Sequence, residues 1–288
     1  MASLKDLRRR IRATKSMQQI FKAMEMVAAA KLRRAQARAQ AASPYAAKIS
    51  AMLANLSESA AELEHPLFKA REVKVTALVV ITADRGFAGA YNTTLLRAAE
   101  QKLRAAAPGA IQCVVVGRKG RDYLRRRGHP LLAAHTDLPG EASLELARQI
   151  THEVTERFLA GEVDRVEILY THFVNAIVRR VTHETFLPIG ADLVKGRDGT
   201  AGSGAAIFEP NAEAIFAELL PRYATAKLYA AMADALASEH SARMVAMGAA
   251  RKNAGELVDS LTLTRNRLRQ AMITREISEL VGGAEALK

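Results

Sequence analysis

One long stretch near the C-terminus constrains the fold more than any other feature of the sequence. From Arg222 to Val281 there is no proline, and the only glycines are Gly248 and Gly255. An α-helix rises 1.5 Å per residue, so about 60 residues predict a rod of about 90 Å. A globular domain of this size does not need such a helix for its own core, because most helices are much shorter. The stretch therefore predicts a helix that pairs with a second long helix.

The N-terminal segment supplies a partner, because apolar residues recur along both segments in steps that are mostly three and four or sums of these. In the first segment they are Leu4, Leu7, Ile11, Met17, Ile20, Met24, Val27, Leu32 and Ala35; in the last they are Leu236, Met244, Met247, Ala254, Leu257, Leu261, Leu268 and Met272. A narrow apolar stripe on a charged helix is typical of a two-helix coiled coil. Pro44 predicts a kink or a new helix start, and Pro221 predicts a break.

The middle of the chain alternates between short β-rich runs and helical runs. The predicted strands are 73–82, 111–117, 130–135, 166–173 and 177–187, and the predicted helices are 92–107, 119–127 and 142–159. This alternation predicts a mostly parallel sheet with right-handed crossovers. The last two strands follow each other closely and could form an antiparallel edge pair. The segment KGRDGTAGSGAA (195–206) has four glycines and predicts a loop.

These patterns together predict an α/β protein with an inserted domain. The fold class is a long antiparallel coiled coil of N- and C-terminal helices with an inserted Rossmann-like α/β domain. The helices are expected to run antiparallel because the α/β segment lies between them in the chain. The predicted boundaries are 1–60 for the first helix, 72–206 for the α/β domain and 207–288 for the last helix.

Charge is concentrated at the N-terminus. The whole chain carries a net charge of +12, and residues 1–40 hold eleven basic and two acidic side chains, a net of +9. A cationic helix implies an acidic partner, which could be nucleic acid, anionic lipid or an acidic protein surface. Phe21 is the one aromatic residue in this segment, and no DNA-binding module is recognisable. A basic coiled coil that binds nucleic acid remains an alternative, which a salt-dependent gel shift would support.

The stretch VVITADRGFAGAYN (79–92) raises the question of nucleotide binding, since strand, glycine turn and helix is a common phosphate cradle. Its glycines, Gly86 and Gly89, lack the dinucleotide spacing, and no Walker loop is present. The run GRKG (117–120) is a second turn of the same kind, and a structural turn is the favoured interpretation of both. Asp84 is expected to pair with Arg85 and brace the first turn. An α/β enzyme that binds ATP tightly is the third hypothesis.

Other signals of chemistry are weak. The seven histidines have no spacing that would place two metal ligands on one helix face, and no nucleophile motif occurs. The one cysteine, Cys113, lies in an apolar run and is expected to be buried and inert. We therefore expect no catalytic residues, no metal and no cofactor. The sequence favours a mechanical or binding protein whose middle part has an enzyme-like fold.

Three long motifs resemble the gamma subunit of F-type ATP synthases. They are LKDLRRRIRATKSMQQIFKAMEMVAAAKLRRAQ (4–36), ITADRGFAGAYN (81–92) and the C-terminal run from ASEHSARMVAMG to ITREISELVGGAEAL (237–287). The resemblance covers effectively the whole chain. It implies a rotor shaft, in which paired terminal helices turn inside a hexamer of alternating alpha and beta subunits and the α/β domain packs at the foot.

The same resemblance implies partners and a location. The partners are three alpha and three beta subunits, the epsilon subunit and the membrane c-ring, with no nucleic acid and no catalytic role for this chain. The location is peripheral, at the cytoplasmic face of the bacterial inner membrane or an equivalent energy-transducing membrane, with membrane association only through the complex. The beta subunits of this family present acidic loops to the shaft, which suits a cationic N-terminal helix.

Individual residues follow from motif matches within this resemblance. Met24, in KAMEMV, matches a position that faces the beta lever loops. Arg269, Gln270 and Thr274 match a polar cluster that contacts the hexamer, and Arg243 matches a second shaft position tied to coupling. Phe208 and Glu209, in FEP, match the foot segment that meets epsilon and the c-ring. These assignments are expectations carried by the resemblance. The alternative role for Met24 is coiled-coil core, and the two roles are compatible.

Overall fold

The computed structural model describes residues 3–59, 66–190 and 212–285. The helices are α1 (Leu4–Ser59), α2 (Tyr91–Ala105), α3 (Arg118–Arg126), α4 (Leu144–Leu159) and α5 (Ala212–Glu285). The strands are β1 (Thr76–Ile81), β2 (Ile111–Val116), β3 (Leu131–His135), β4 (Arg165–Phe173) and β5 (Arg179–Leu187). Each helix and strand predicted in the middle of the chain is present, with its ends within three residues of the prediction. The glycine-rich loop at 195–206 lies outside the described residues.

Both prolines lie inside continuous helices. α1 passes through Pro44 and α5 passes through Pro221, so a new helix start at Pro44 and the predicted break at Pro221 are wrong. The alternative at Pro44, a kink, stays a prediction. An internal proline costs about 3 kcal/mol. Apolar residues close to each proline are buried in one core, among them Leu53 in α1 and Leu220 in α5. Burying side chains of this size contributes about 1.5–3 kcal/mol each, enough to hold the helix together across the proline.

The chain forms two compact units. One contains residues 1–28 and 243–288, and the other contains residues 29–242. We call the first the helical-pair unit and the second the sheet unit. α1 and α5 each contribute residues to both units. None of the helices in the described part of the chain is long and apolar enough to cross a membrane.

The sheet unit is built on five strands in the order β3-β2-β1-β4-β5. β1 pairs in parallel with β2 and with β4, and β2 pairs in parallel with β3. β5 is antiparallel to β4 at the edge of the sheet. The mostly parallel sheet and its antiparallel edge pair are therefore confirmed. All six residues of β1 are buried, as expected for a central strand that is covered on both faces.

Separate apolar clusters cover the two faces of the sheet. One face packs against α4 and against the parts of α1 and α5 that belong to this unit, around Phe158 and Leu228. The other face packs against α2 and α3, around Leu95 and Leu124. Cys113 is fully buried in the second cluster, and burial raises the pKa of its thiol to about 12. Its expected burial and low reactivity follow from this environment.

Glu100 on α2 makes the stability of the sheet unit depend on pH. Its carboxylate accepts hydrogen bonds from Tyr123 Oη (2.5 Å), Arg104 Nη2 (2.6 Å) and Arg127 Nε (3.3 Å). The Tyr123 bond is the main cause that lowers the pKa of Glu100 to about 2, helped by Arg104. The folded state therefore favours the ionised carboxyl. Its contribution is fully present above the ordinary pKa of 4.5 and is lost as pH falls from there towards 2.

We expect Glu100→Gln to flatten this acid limb. Between pH 5 and pH 2 the variant should lose less of its free energy of unfolding than the parent chain does, measured by urea unfolding at fixed salt. Glu145→Gln is the matched control, because Glu145 is exposed and, within the described ranges, its one ion pair is with Arg148 on its own helix. A Glu100→Gln variant with the same acid dependence as the parent would contradict the assignment.

Candidate functional site

The helical-pair unit has a seam with the spacing of a coiled coil. On α1, the buried or half-buried positions rise in alternating steps of four and three: Leu7, Ile11, Thr14, Gln18, Phe21, Glu25 and Ala28. A mean step of 3.5 residues is the heptad repeat that keeps one stripe facing a partner helix. The same spacing continues along α1 to Leu32 and Ala35, which are also buried.

Part of the seam predicted from the sequence is wrong. Met17, Ile20 and Val27 of α1 are each more than half exposed. On α5, Leu257 is half exposed, whereas its neighbour Val258 is buried. The prediction followed apolar side chains, but the heptad that starts at Leu7 and Ile11 brings polar residues into the seam and turns these apolar ones outward. The spacing of the repeat was the better guide, and it was readable from the sequence.

Two polar side chains on α1 face the two glycines on α5. A Cβ added to Gly255 would lie 2.9 Å from Gln18 Nε2, and one added to Gly248 would lie 3.2 Å from Glu25 Oε1. Arg251 Nε also donates to Glu25 Oε2 at 2.9 Å. Moving seven residues forward on α1 corresponds to moving seven residues back on α5, so the two helices run antiparallel. The predicted antiparallel pairing of the terminal segments is thereby confirmed within this unit.

This register leaves the C-terminal end of α5 without a partner from α1. Counting from the Gln18–Gly255 contact, Leu4 at the start of α1 lies level with Arg269. Arg269, Gln270 and Thr274 are all exposed. Beside them and beyond them α5 presents exposed apolar side chains, among which Leu280 is 74% exposed. We call this segment the apolar end; its members are Ile273, Ile277, Leu280 and Val281. Sequence reasoning did not single out these four residues, although their spacing of four, three and one was visible.

The other residues carried over from the family resemblance are placed differently. Met24 is half-buried beside the seam, which suits its reading as coiled-coil core. Arg243 is half-buried and lies about 40 Å along α5 from Arg269 at 1.5 Å per residue. The structure therefore groups Arg269, Gln270 and Thr274 on neighbouring turns and keeps Arg243 apart. Phe208 and Glu209 lie outside the described residues.

A basic groove runs along the helical-pair unit near the start of α1. It encloses about 360 Å³, and four of its lining residues are cations: Arg8, Arg12, Lys15 and Arg265. Ile11, Ser16 and Gln19 complete the lining, so no carboxylate from the described part of the chain borders this groove. Uncompensated positive charge of this density attracts an acidic surface.

In the sheet unit, polar bonds tie α5 to the edge of the sheet. Asp234 accepts a hydrogen bond from Phe173 N at 3.1 Å and pairs with His172 Nδ1. Lys227 Nζ donates to the carbonyl oxygen of Thr185 on β5 at 2.9 Å. Two further hydrogen bonds reach α5. Tyr91 Oη on α2 donates to the carbonyl oxygen of Ala235 at 3.1 Å, and Arg179 Nη1 on β5 donates to Ser241 Oγ at 3.0 Å. A helix bonded at this many points to a sheet cannot slide along it without breaking several contacts.

The glycine loops at the carboxyl ends of β1 and β2 are filled by the protein's own groups. Asp84 Oδ1 accepts from Arg118 N at 2.7 Å, and Asp84 Oδ2 accepts from Leu138 N at 2.6 Å. The next N–H groups of α3 donate to Ala83 O (3.0 Å) and Thr82 Oγ1 (2.9 Å). The N-terminal donors of α3 that would bind a phosphate at the second turn are thus engaged. This geometry supports the structural-turn interpretation.

The expected pairing of Asp84 with Arg85 is wrong. The Asp84 carboxylate receives backbone N–H groups from two other segments, while Arg85 is exposed. Backbone donors are preferred here because α3 brings an unsatisfied N–H and a positive helix end to the same point. Asp84 braces the turn as expected, but it does so by joining three segments of the sheet unit.

Comparison with known proteins matches this architecture. A family model described as ATP synthase covers residues 3–287. The ATP synthase gamma chains of Desulforamulus reducens and Moorella thermoacetica are each 46% identical over the full length of both sequences. A central-stalk structure from the Tetrahymena thermophila mitochondrial ATP synthase is 29% identical, with a TM-score of 0.64, over 80% of this chain and 99% of its own.

These matches place the chain in the class of ATP synthase subunits. The chain belongs to the ATP synthase gamma family. A rotor structure from the Euglena gracilis mitochondrial ATP synthase shares the fold, with a TM-score of 0.67 over 94% of this chain and 98% of its own at 20% identity.

Proposed function

We propose that this chain is the central rotor shaft of an F-type ATP synthase. It couples rotation of the membrane c-ring to conformational change at the catalytic beta subunits, during ATP synthesis or hydrolysis, and is itself non-catalytic. One observation carries the proposal: an antiparallel helical pair whose longer helix continues past its partner into an exposed polar cluster and an apolar end. An isolated soluble domain gains nothing from such an end, because exposed apolar surface favours association.

The partners proposed for the helical-pair unit are three alpha and three beta subunits. The basic groove at Arg8, Arg12, Lys15 and Arg265 suits an acidic surface of the surrounding hexamer. Exposed charge pairs contribute only about 0–1 kcal/mol each, so the groove guides and biases the fit more than it locks it. We assign the contacts with the hexamer to Met24, Arg243, Arg269, Gln270 and Thr274, three of which are exposed in the described structure.

The partners proposed for the foot are the epsilon subunit and the c-ring, reached through Phe208 and Glu209. Relatives support this assembly, since the two matched structures are a central stalk with c-ring and a rotor. The chain would then be a peripheral membrane protein held at the membrane by the complex alone, at the cytoplasmic face of a bacterial inner membrane. Nucleic acid is not a partner in this proposal.

Coupling requires that the rotating part contact each beta subunit differently. A ligand or partner shifts a conformational equilibrium only by its difference in binding free energy between the states. The helical-pair unit has chemically unequal surfaces, with the basic groove on one part and the exposed residues Met17 and Ile20 on another. As the unit turns, each beta subunit would meet a different surface in sequence.

The Arg269 assignment is tested with its near neighbour as a control. A charge-assisted hydrogen bond contributes about 1.5–3 kcal/mol, so Arg269→Ala is expected to weaken binding of the chain to alpha–beta hexamers about tenfold or more. Arg267→Ala removes the same charge from an exposed position two residues earlier on another helix face, and it should change binding less than about twofold. The measurement is a binding titration, with the ratio of ions pumped to ATP hydrolysed as a second readout.

Equal effects of the two arginine variants would show that overall charge, and not a specific contact, controls assembly. No effect of either variant would remove Arg269 from the contact surface. Failure of the parent chain to bind alpha and beta subunits would contradict the proposed function as a whole.

A further inference from the structure

The sheet unit contains a cavity that the proposed rotor function does not use. It encloses about 250 Å³ and is lined by α1, by the loop that precedes α4 and by α5. The α1 residues Lys31, Arg34 and Arg38 stand at its mouth, three and four positions apart on one helix face. Apolar side chains, including Ala35 and Leu236, line the remainder together with the buried His240.

The charges around this cavity do not balance. In the described part of the chain, Glu141 is the only acidic residue that lines the cavity, and it pairs with Arg38. Among the described residues, Lys31 and Arg34 have no carboxylate of their own, so the mouth carries three cations against one anion. The hydrogen bond from Arg38 holds the pKa of Glu141 below its usual range, and the charges of Arg34 and Lys31 lower it further. The positive charges of Lys31, Arg34 and Arg38 therefore all act on the position of the Glu141 carboxylate.

Two further features favour an anion at that point. α4 begins at Leu144, directly after the lining loop, and the N-terminal end of a helix carries partial positive charge. Gly140 keeps the backbone of this loop close to the cations, since an added Cβ would lie in contact with Lys31 Nζ, at 3.5 Å. The volume is below the 300 Å³ or so at which pockets for drug-sized ligands begin, so a whole nucleotide is too large.

We propose that this cavity binds a small phosphate-type oxyanion, of the size of inorganic phosphate or pyrophosphate. Arg34 supplies the planar guanidinium that matches two oxygens of such an anion, and Lys31 adds a point charge. Glu141 forms an ion pair with Arg38, so its carboxylate competes with the bound anion for the Arg38 guanidinium. A bound anion bridges α1 to the loop before α4, so it is expected to stiffen the sheet unit. The proposal does not depend on the rotor function.

The test is calorimetric titration of the full-length chain with pyrophosphate, and separately with inorganic phosphate, at low and at physiological salt. We expect one saturable site, weaker at the higher salt. Arg34→Gln should weaken pyrophosphate binding about tenfold, as expected for the loss of one charge-assisted contact. Arg33→Gln is the matched control: it removes the same charge from the adjacent exposed position, outside the cavity lining, and should change the affinity less than about twofold.

Glu141→Gln gives the opposite sign. It removes the internal competitor and frees Arg38, so pyrophosphate should bind about threefold or more tightly. Circular dichroism checks that each variant keeps the helix content of the parent chain. If Arg34→Gln has a lower helix content, Lys31→Gln is used in its place. The proposal is overturned if the parent chain shows no saturable binding at low salt, if Arg33→Gln and Arg34→Gln weaken binding equally, or if Glu141→Gln weakens it.

Discussion

Serine in place of both Ile277 and Leu280 is expected to weaken binding of the chain to the alpha and beta subunits about hundredfold. Both side chains lie on the apolar end of α5 and are 56% and 74% exposed in the free chain. Burying a side chain of this size contributes about 1.5–3 kcal/mol, so losing two costs about 3 kcal/mol or more. Each 1.4 kcal/mol is a factor of ten in the dissociation constant, which is measured by titrating labelled chain with alpha–beta hexamers.

The sheet unit itself offers a matched control. Val174 and Ile177, at the turn between β4 and β5, are also exposed apolar residues, with Ile177 at 76%. Serine at both of these positions should leave binding to the hexamer within about twofold of the parent chain. Removal of residues 277–288 should weaken assembly at least as much as the Ile277→Ser/Leu280→Ser variant, while the thermal transition of the sheet unit stays in place. Loss of that transition, or equal effects of the two serine pairs, would contradict a docking role for the apolar end.

Alanine at Gly117 is expected to destabilise the sheet unit by about 3–4 kcal/mol. Gly117 has φ +100°, and an added Cβ would lie 2.4 Å from the carbonyl oxygen of Thr82. Thr82 cannot move away easily, because its N and Oγ1 both donate to Val116 O, at 2.7 and 2.8 Å. Backbone strain of this kind costs about 1–3 kcal/mol, and the steric clash adds to it.

Gly128→Ala separates the clash from the backbone strain. Gly128 also has a positive φ, +72°, but nothing lies within 4 Å of an added Cβ. Its substitution should therefore cost about 1–2 kcal/mol, the penalty of the left-handed conformation alone. Both free energies are measured by urea unfolding of the full-length chain. Equal losses in the two variants would show that the contact with Thr82 does not determine why glycine stands at position 117.

The middle of the chain was predictable because its elements are short and sharply bounded. β-branched runs such as β1 and β2 are buried on both faces, and each is followed by a turn and a helical repeat. Local pattern and tertiary environment agree there. The antiparallel edge pair of β4 and β5 was predictable for the same reason, since only a short turn separates two strand patterns.

The long helices were harder to predict in detail, because their neighbours decide which face is buried. Gln18 and Glu25 occupy seam positions that apolar residues usually fill, and they do so because Gly255 and Gly248 leave space opposite them. A glycine on one helix and a polar residue more than 200 positions away cannot be matched by local periodicity. The new start at Pro44 and the break at Pro221 do not occur because burial of nearby apolar residues such as Leu53 and Leu220 outweighs a local propensity.

The candidate site was predicted only in part. Exposure of Arg269, Gln270 and Thr274 agrees with a contact role, but the four residues of the apolar end were not singled out because exposed apolar residues look like core in a sequence. The Asp84 side chain was assigned its bracing role correctly and its partner wrongly, since the donors at Arg118 and Leu138 come from segments that only the fold brings together.

The central claim is that this chain turns as a shaft inside an ATP synthase, and rotation itself can be watched. Cys113 is buried with a raised pKa, so a label reacts instead with a cysteine introduced at the exposed residue Arg97 on α2. In complexes immobilised through the beta subunits, a bead attached there should turn in one direction when ATP is added, with three pauses per turn, one for each beta subunit. A bead that stays still while the same complexes hydrolyse ATP would contradict the account.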